Sequence, residues 1–204
     1  MINLAIMISG RGSNMKAILE SIKRGEIRGI GNILVISNKQ DALGIEIAKN
    51  EYGVKTITLL SNNYDNSFET RLQNELKKDN IDPQNGLICL AGFMKILSPS
   101  FVRMYKHKIM NVHPSLLPSF KGLHAQKQAL LAGVNITGCT IHFVDTGVDS
   151  GPIILQYPVP VYNNDDESSL SERILIREHE IYIRAIQLFT QKHLSIVENR
   201  VFQI

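Results

Sequence analysis

The stretch "INLAIMISGRGSNMKAILESIKRG", residues 2–25, decides the fold. Ile2 to Ile8 make a short apolar run of the length a buried strand needs, and Gly10 and Gly12 cut it with a tight turn. Apolar residues return at Met15, Ile18, Leu19 and Ile22, three and four apart, the pattern of a helix with one buried face. The rhythm recurs in "NILVIS" then "ALGIEIAKNEYG", in "VKTITLL" then "SFETRLQNELKKD", and in "GLICLAG" followed by a segment after Ser98. Such alternation predicts an α/β fold, Rossmann-like and three-layered, with a mainly parallel central sheet, helices on both faces and ligands at the strand C-termini.

Further on the pattern changes. "KIMNVHP" reads as a strand ending at Pro114 and "HAQKQALLAG" as a helix. "TGCTIHFVDTGVDSGPIILQYPVPV" holds two apolar runs around a Gly- and Asp-rich connection, which predicts an antiparallel pair and hence an antiparallel C-terminal portion. The linker "YNNDDESS" offers cap residues for a long helix from about Leu170 to Lys192, and "LSIVENRVFQI" closes the chain as a strand or hairpin.

With 204 residues, 44% of them hydrophobic and 20% charged, the chain can bury a sizeable core as one domain. The net charge of +3 is small and Lys and Arg are scattered, so no nucleic-acid stripe or membrane-binding face is expected, while small acidic ligands stay open. Cys89 and Cys139 lie in apolar, strand-like runs without the C-x-x-C spacing of a zinc or redox site, and read as reduced core residues. No metal site is expected. The longest apolar stretch, around "LICLAGFM", is far shorter than the roughly 20 residues that span a bilayer, and no basic region precedes a long apolar one at the N-terminus. A cytoplasmic protein is the expectation.

Four constellations can carry chemistry. In "ISGRGSN", Gly10 and Gly12 turn the backbone and Ser13 or Asn14 can cap the helix, which aims N–H groups and the positive dipole end at a place suited to phosphate. This is not a dinucleotide fingerprint, because Met15 stands at the third glycine position and the second strand ends in "ISNK"; nor does a Walker Gly-Lys-Ser/Thr follow. A capped turn without a ligand is the plainer reading.

Asn111 and His113 stand two apart in a strand, so they share a face. They can place two donors on an oxygen that turns negative during acyl transfer, whereas a lone strand-end histidine is a satisfied structural residue. His142, also in a strand, and His107 and His193 read as structural outright. In "DTGVDSGP", an acid at Asp145 or Asp149 brought beside His113 would favour the protonated ring and orient it; the plainer alternative is a turn acid bonding its own backbone. Glu178 falls on the helical stripe of Ile174, Ile181, Ala185 and Leu188, where an acid needs partners such as sugar hydroxyls, unless it marks the edge of the core.

Taken together, "SGRGSN", "LAGFMKILSP", "NVHPSLLPSFKGLHA", "GCTIHFVDTGVDSGPII" and "REHEIY" resemble the folate-dependent formyltransferases over nearly the whole chain, most closely the branch that acts on phosphoribosylglycinamide. The resemblance implies attack by the amino group of 5-phosphoribosylglycinamide on the formyl carbon of 10-formyltetrahydrofolate, a co-substrate, in purine biosynthesis. It implies that Asn111 and His113 stabilise the oxyanion, that His113 protonates the departing folate nitrogen, and that Asp149 holds His113 charged and helps move the proton off the amine. By the same resemblance Gly12, Ser13 and Asn14 hold the substrate phosphate, and Leu175, Ile176, Arg177 and Glu178 form a second substrate contact, with Glu178 on the ribose hydroxyls. Met94, Lys95, Ile96 and Leu97 would line the folate pocket with Asn111. The loop of Asp145, Thr146, Gly147, Val148 and Asp149 would close over the pterin, largely through backbone groups. The implied organisation is one domain, 1–204, with a phosphate-binding half to about residue 100 and a folate-binding, catalytic half beyond it. The implied partners are small molecules, without nucleic acid or membrane, in a monomer or homodimer.

Two departures bear on the folate tail. Relatives often carry Arg or Lys just after the "D-S" that opens the third helix, where this chain has Asp65, Asn66, Ser67 and Phe68, with Arg71 one turn later as the candidate replacement. Many carry Arg where Lys95 stands, which keeps the charge and loses the planar two-pronged grip, so weaker dependence on the glutamate tail is expected. Among alternatives, formyltetrahydrofolate deformylases use water as acceptor and usually carry an N-terminal regulatory domain, whereas this chain enters its first core strand at once. Methionyl-tRNA formyltransferases add a C-terminal domain for tRNA, whereas this chain stops soon after its last helix and has no basic patch. A non-catalytic folate or nucleotide binder would be expected to lack Asn111, His113 or Asp149. These features favour the free ribonucleotide as acceptor.

Overall fold

A computed structural model describes residues 1–60 and 67–204, which fall into two compact units, Met1–Met110 and Asn111–Ile204. The first holds β1 (Ile2–Ile8), α1 (Ser13–Lys23), β2 (Ile30–Ser37), α2 (Leu43–Tyr52), β3 (Lys55–Thr58), α3 (Phe68–Lys78), β4 (Gly86–Leu90), α4 (Pro99–Met104) and the start of β5 (Ile109–His113). β1 pairs in parallel with both β2 and β4, and β2 with β3. β4 is buried throughout and β1 from Leu4 onward. Strands covered on both faces lose the two-residue alternation, which is why these read as unbroken apolar runs. α1 buries Met15, Ile18 and Leu19, and α3 buries Phe68, Leu72 and Leu76 at four-residue spacing.

The second unit holds the end of β5, α5 (Ala125–Leu131), β6 (Ile136–Phe143), β7 (Ile153–Pro160), α6 (Glu167–Thr190) and a hairpin of β8 (Leu194–Val197) and β9 (Arg200–Gln203). β6 and β7 are antiparallel, with Cys139 opposite Tyr157 and an irregularity between Ile141 and His142. The connection between them closes on a tight backbone approach: a side chain at Gly151 would overlap the Phe143 carbonyl. α6 packs on both strands. The strands follow the order β3-β2-β1-β4-β5-β6-β7 in a seven-stranded sheet, so the expected α/β class, mainly parallel with an antiparallel end, holds.

Two helix boundaries differ from expectation. The N-cap of α1 is Gly12, at φ 73°, without a side-chain cap from Ser13 or Asn14. α6 begins at Glu167 rather than near Leu170, because Asp166 caps it: its Oδ1 accepts from the Ser169 N–H at 2.8 Å and its own N–H donates to Ser169 Oγ at 3.1 Å. The substituted positions Asp65 and Asn66 lie outside the described residues, and Phe68 is core.

Cys89 and Cys139 are both buried, as expected, and form no disulfide. Burial, with the Glu178 carboxylate adding to it, pushes the Cys139 thiol up to about 12. At pH 8 iodoacetamide should therefore leave Cys139 unlabelled in the native protein and label it after denaturation, as read by mass spectrometry. Labelling of native Cys139 at the denatured rate would contradict its burial.

Candidate active site

The second unit links the expected trio of Asn111, His113 and Asp149 through two imidazoles, those of His113 and His142. β5 ends by delivering His113, 4% exposed, two residues after half-buried Asn111. His113 Nδ1 lies 3.3 Å from Asp149 Oδ2, and Nε2 lies 2.8 Å from the carbonyl oxygen of Phe120. Both neighbours are acceptors, so only an imidazolium donates to the two at once. Asp149 Oδ2 also accepts the Gly122 N–H at 2.8 Å, which fixes the carboxylate from the other side. Asp149 sits at φ 47°, in the left-handed region.

His142 belongs to the same cluster, contrary to its reading as a purely structural residue. Its Nδ1 lies 3.0 Å from the Phe143 carbonyl, its Nε2 lies 3.2 Å from Asn111 Nδ2 and 3.8 Å from Asp149 Oδ1. A carbonyl only accepts, so Nδ1 carries the proton. Burial lowers the pKa of His142, the Phe143 carbonyl and Asp149 oppose the shift, and the ring is neutral with its lone pair on Nε2. Asn111 must then donate one Nδ2 hydrogen to His142, which orients the amide and leaves its second hydrogen for another acceptor. The available signal was the burial of an imidazole in an apolar strand, where its nitrogens need partners.

The two loop acids separate. Asp145 follows the plainer reading, its Oδ1 accepting the Gly147 N–H at 3.0 Å and Ser150 Oγ–H at 2.7 Å, and only Asp149 reaches the histidines. Val148 between them is exposed. On α6, Glu178 is buried on the apolar stripe as expected, Leu175 is half-buried and Ile176 exposed. Arg177 pairs with Glu180 at 2.8 Å and lies over the Tyr157 ring at 4.8 Å.

In the first unit the loop after β1 surrounds a pocket of about 250 Å³ lined by Gly10, Gly12, Ser13, Asn14 and Met94 among others. No side chain caps the N-terminus of α1, and the dipole end favours an anion there. Gly12 is required here: a side chain would meet the backbone of Gly44 at 3.1 Å, at a positive φ. Met94 and Ile96 are exposed, Leu97 is buried, and Lys95 Nζ lies 5.4 Å from the Phe68 ring centroid. Among the described residues, no group of three His, Cys, Asp or Glu side chains is placed to hold a metal ion.

A formyl transferase family model matches residues 2–186. The chain is similar to phosphoribosylglycinamide formyltransferase of Escherichia coli (strain K12), with 41% identity over 199 residues, 97% of this chain and 91% of that protein. It is similar to the trifunctional purine biosynthetic protein adenosine-3 of Bos taurus, with 43% identity over 199 residues, 96% of this chain and 19% of that protein. Against four such trifunctional relatives it spans 13 to 19% of their length. Among solved structures, glycinamide ribonucleotide transformylase 1 from Symbiobacterium toebii superposes with a TM-score of 0.93 at 42% identity, covering 100% of this chain and 94% of that one. With likeness of that extent in both sequence and fold, this chain belongs to the formyl transferase family, among the phosphoribosylglycinamide formyltransferases.

Proposed function

We propose that this chain transfers the formyl group of 10-formyltetrahydrofolate to the amino group of 5-phosphoribosylglycinamide, giving the N-formyl product and tetrahydrofolate in purine biosynthesis. The observation that carries the reading is the network of Asn111, His113, His142 and Asp149, two fixed donors with an acid behind one of them. As the amine nitrogen bonds to the formyl carbon, the carbonyl electrons move to oxygen. The second Nδ2 hydrogen of Asn111 and the Nε2–H of His113, donated in this structure to the Phe120 carbonyl, meet that oxygen. Asp149 keeps the His113 ring oriented through Nδ1 and takes the amine proton, directly or through water. The carbon–nitrogen bond to folate then breaks and His113 supplies a proton to the leaving nitrogen.

Gly12, Ser13 and Asn14 take the substrate phosphate on the N-terminus of α1, and the segment from Leu175 to Glu178 meets the ribose. Met94 to Leu97 and the loop from Asp145 to Asp149 take the folate. The chain acts as one formyltransferase domain, its first half phosphate-binding and its second folate-binding and catalytic, on small molecules in the cytoplasm, as a monomer or homodimer and without a metal. The likeness to a curated phosphoribosylglycinamide formyltransferase over 91% of its length supports the acceptor.

The test is a spectrophotometric assay of tetrahydrofolate release from 10-formyltetrahydrofolate with and without 5-phosphoribosylglycinamide. Release that requires the ribonucleotide, with formylated product in equal amount, is the expected result. Release without it would make the chain a deformylase, and silence in both would overturn the reading. Glu178→Ala should weaken the apparent affinity for the ribonucleotide about tenfold to a hundredfold, the worth of a charged hydrogen bond to hydroxyls, with kcat changing less than about threefold. An unchanged apparent affinity would leave Glu178 as core edge.

A further inference from the structure

We propose that Ser9 and Glu69 are positioning residues that pin the two ends of the segment Met94–Leu97 for folate; this rests on the assignment of that segment to folate under the proposed function. The segment has no helix or strand of its own, yet it displays Met94 at 68% and Ile96 at 84% exposure. Large apolar side chains held out on irregular backbone present a surface only where that backbone is fixed, since ordering each free residue costs about 1–2 kcal/mol.

The first pin is buried. Ser9 and Asn38 are each 8% exposed, and Ser9 Oγ donates its one proton to Asn38 Oδ1 at 2.6 Å and accepts the Met94 N–H at 2.8 Å. The Ser9 N–H donates to the Gly92 carbonyl at 3.1 Å, so backbone and side chain of one residue hold the approach to Met94. Ser9 directly precedes the glycine turn, and Ser9 and Met94 both line the pocket of Gly10, Gly12 and Ser13. With its proton and a lone pair committed, the hydroxyl acts through the backbone at 94.

The second pin grips the other end. The Ser98 N–H donates to Glu69 Oε1 at 2.5 Å and Ser98 Oγ–H donates to Glu69 Oε2, while Ser98 Oγ accepts the Phe101 N–H at 3.2 Å and so caps α4. Glu69 lies in the first turn of α3, where the helix dipole favours a carboxylate. Neither residue belongs to the Asn, His and Asp network, so loss of either should fall on folate affinity.

The experiment compares Ser9→Ala and Glu69→Ala with Ser9→Thr and Glu69→Gln. Thr keeps the hydroxyl, and Gln can accept from the Ser98 N–H and donate to Ser98 Oγ. Calorimetry gives the Kd of tetrahydrofolate, and steady-state assays give kcat and a KM for each substrate. The alanine variants should raise both the Kd of tetrahydrofolate and the KM of the formyl donor about fivefold to tenfold, through one bond lost at Met94 and two at Ser98, with the ribonucleotide KM within about twofold for Glu69→Ala and rising less than the formyl-donor KM for Ser9→Ala, which borders the phosphate pocket. The conservative variants should stay within about twofold of the parent in every one of these quantities. Equal shifts in both KM values, a loss confined to kcat, or no shift would each overturn the proposal while leaving the functional reading intact. A parent protein that binds no tetrahydrofolate would overturn both together.

Discussion

His113→Ala is expected to lower kcat by about 10³- to 10⁴-fold, with the KM of each substrate moving less than about threefold. Under the proposed function two roles meet in this ring, a donor to the oxyanion and a proton for the leaving nitrogen, and each would be worth most in the transition state, where charge has developed. Alanine removes both, and water entering the space restores neither alignment nor acidity. The variant should still fold. Asp149 Oδ2 keeps the Gly122 N–H, and the Ser115 hydroxyl, just past β5, still holds the loop through the Ser119 carbonyl, leaving the Phe120 carbonyl to entering water. Thermal melting of the variant checks that point, and single-turnover kinetics of tetrahydrofolate release separates chemistry from product release. A kcat within tenfold of the parent in a folded variant would remove His113 from the reaction.

What was legible in the sequence, and what was not, follows from the range of the interactions involved. β4, β1 from Leu4 and β2 from Leu34 are buried by neighbours on both faces, and that burial writes itself as short apolar runs in the primary structure. The pairing of Asn111 with His113 was equally local, because two residues apart in a strand share a face wherever the strand lies. Asp145 and Asp149 could not be told apart by such rules. Both are acids in one glycine loop, and what separates them is that Asp149, at φ 47°, is met by the Gly122 N–H from a loop 27 positions away in sequence. The same reach hid His142: its role depends on β6 standing beside β5 in the sheet order, which no window of sequence around "TIHF" contains. The α1 cap failed for a different reason. Ser13 and Asn14 are good capping residues, but Gly12 takes the left-handed conformation the turn demands, and the helix starts one residue later.

Asp149→Asn should cost about 10²- to 10³-fold in kcat, equivalent to about 2.7–4 kcal/mol, with little change in the Kd of tetrahydrofolate. The substitution is nearly isosteric, and asparagine tolerates the left-handed backbone that residue 149 adopts, so the test falls on charge and hydrogen bonding rather than on loop conformation. An amide in this place cannot satisfy its neighbours as the carboxylate does. If its oxygen faces His113 Nδ1 and the Gly122 N–H, its NH₂ takes the place of Oδ1, 3.8 Å from His142 Nε2. That lone pair already receives Asn111 Nδ2 at 3.2 Å, and a second donor would compete for it and loosen the amide proposed to serve the oxyanion. If the amide is flipped, its NH₂ opposes the Gly122 N–H, donor against donor, and the grip on the His113 ring is lost. Either orientation breaks one of the two donors, and both remove the carboxylate charge beside the His113 ring. The measurement is kcat and both KM values beside calorimetry of tetrahydrofolate. A variant that binds and turns over within tenfold of the parent would show that the acid is dispensable, and the proton from the attacking amine would then have to leave by another group.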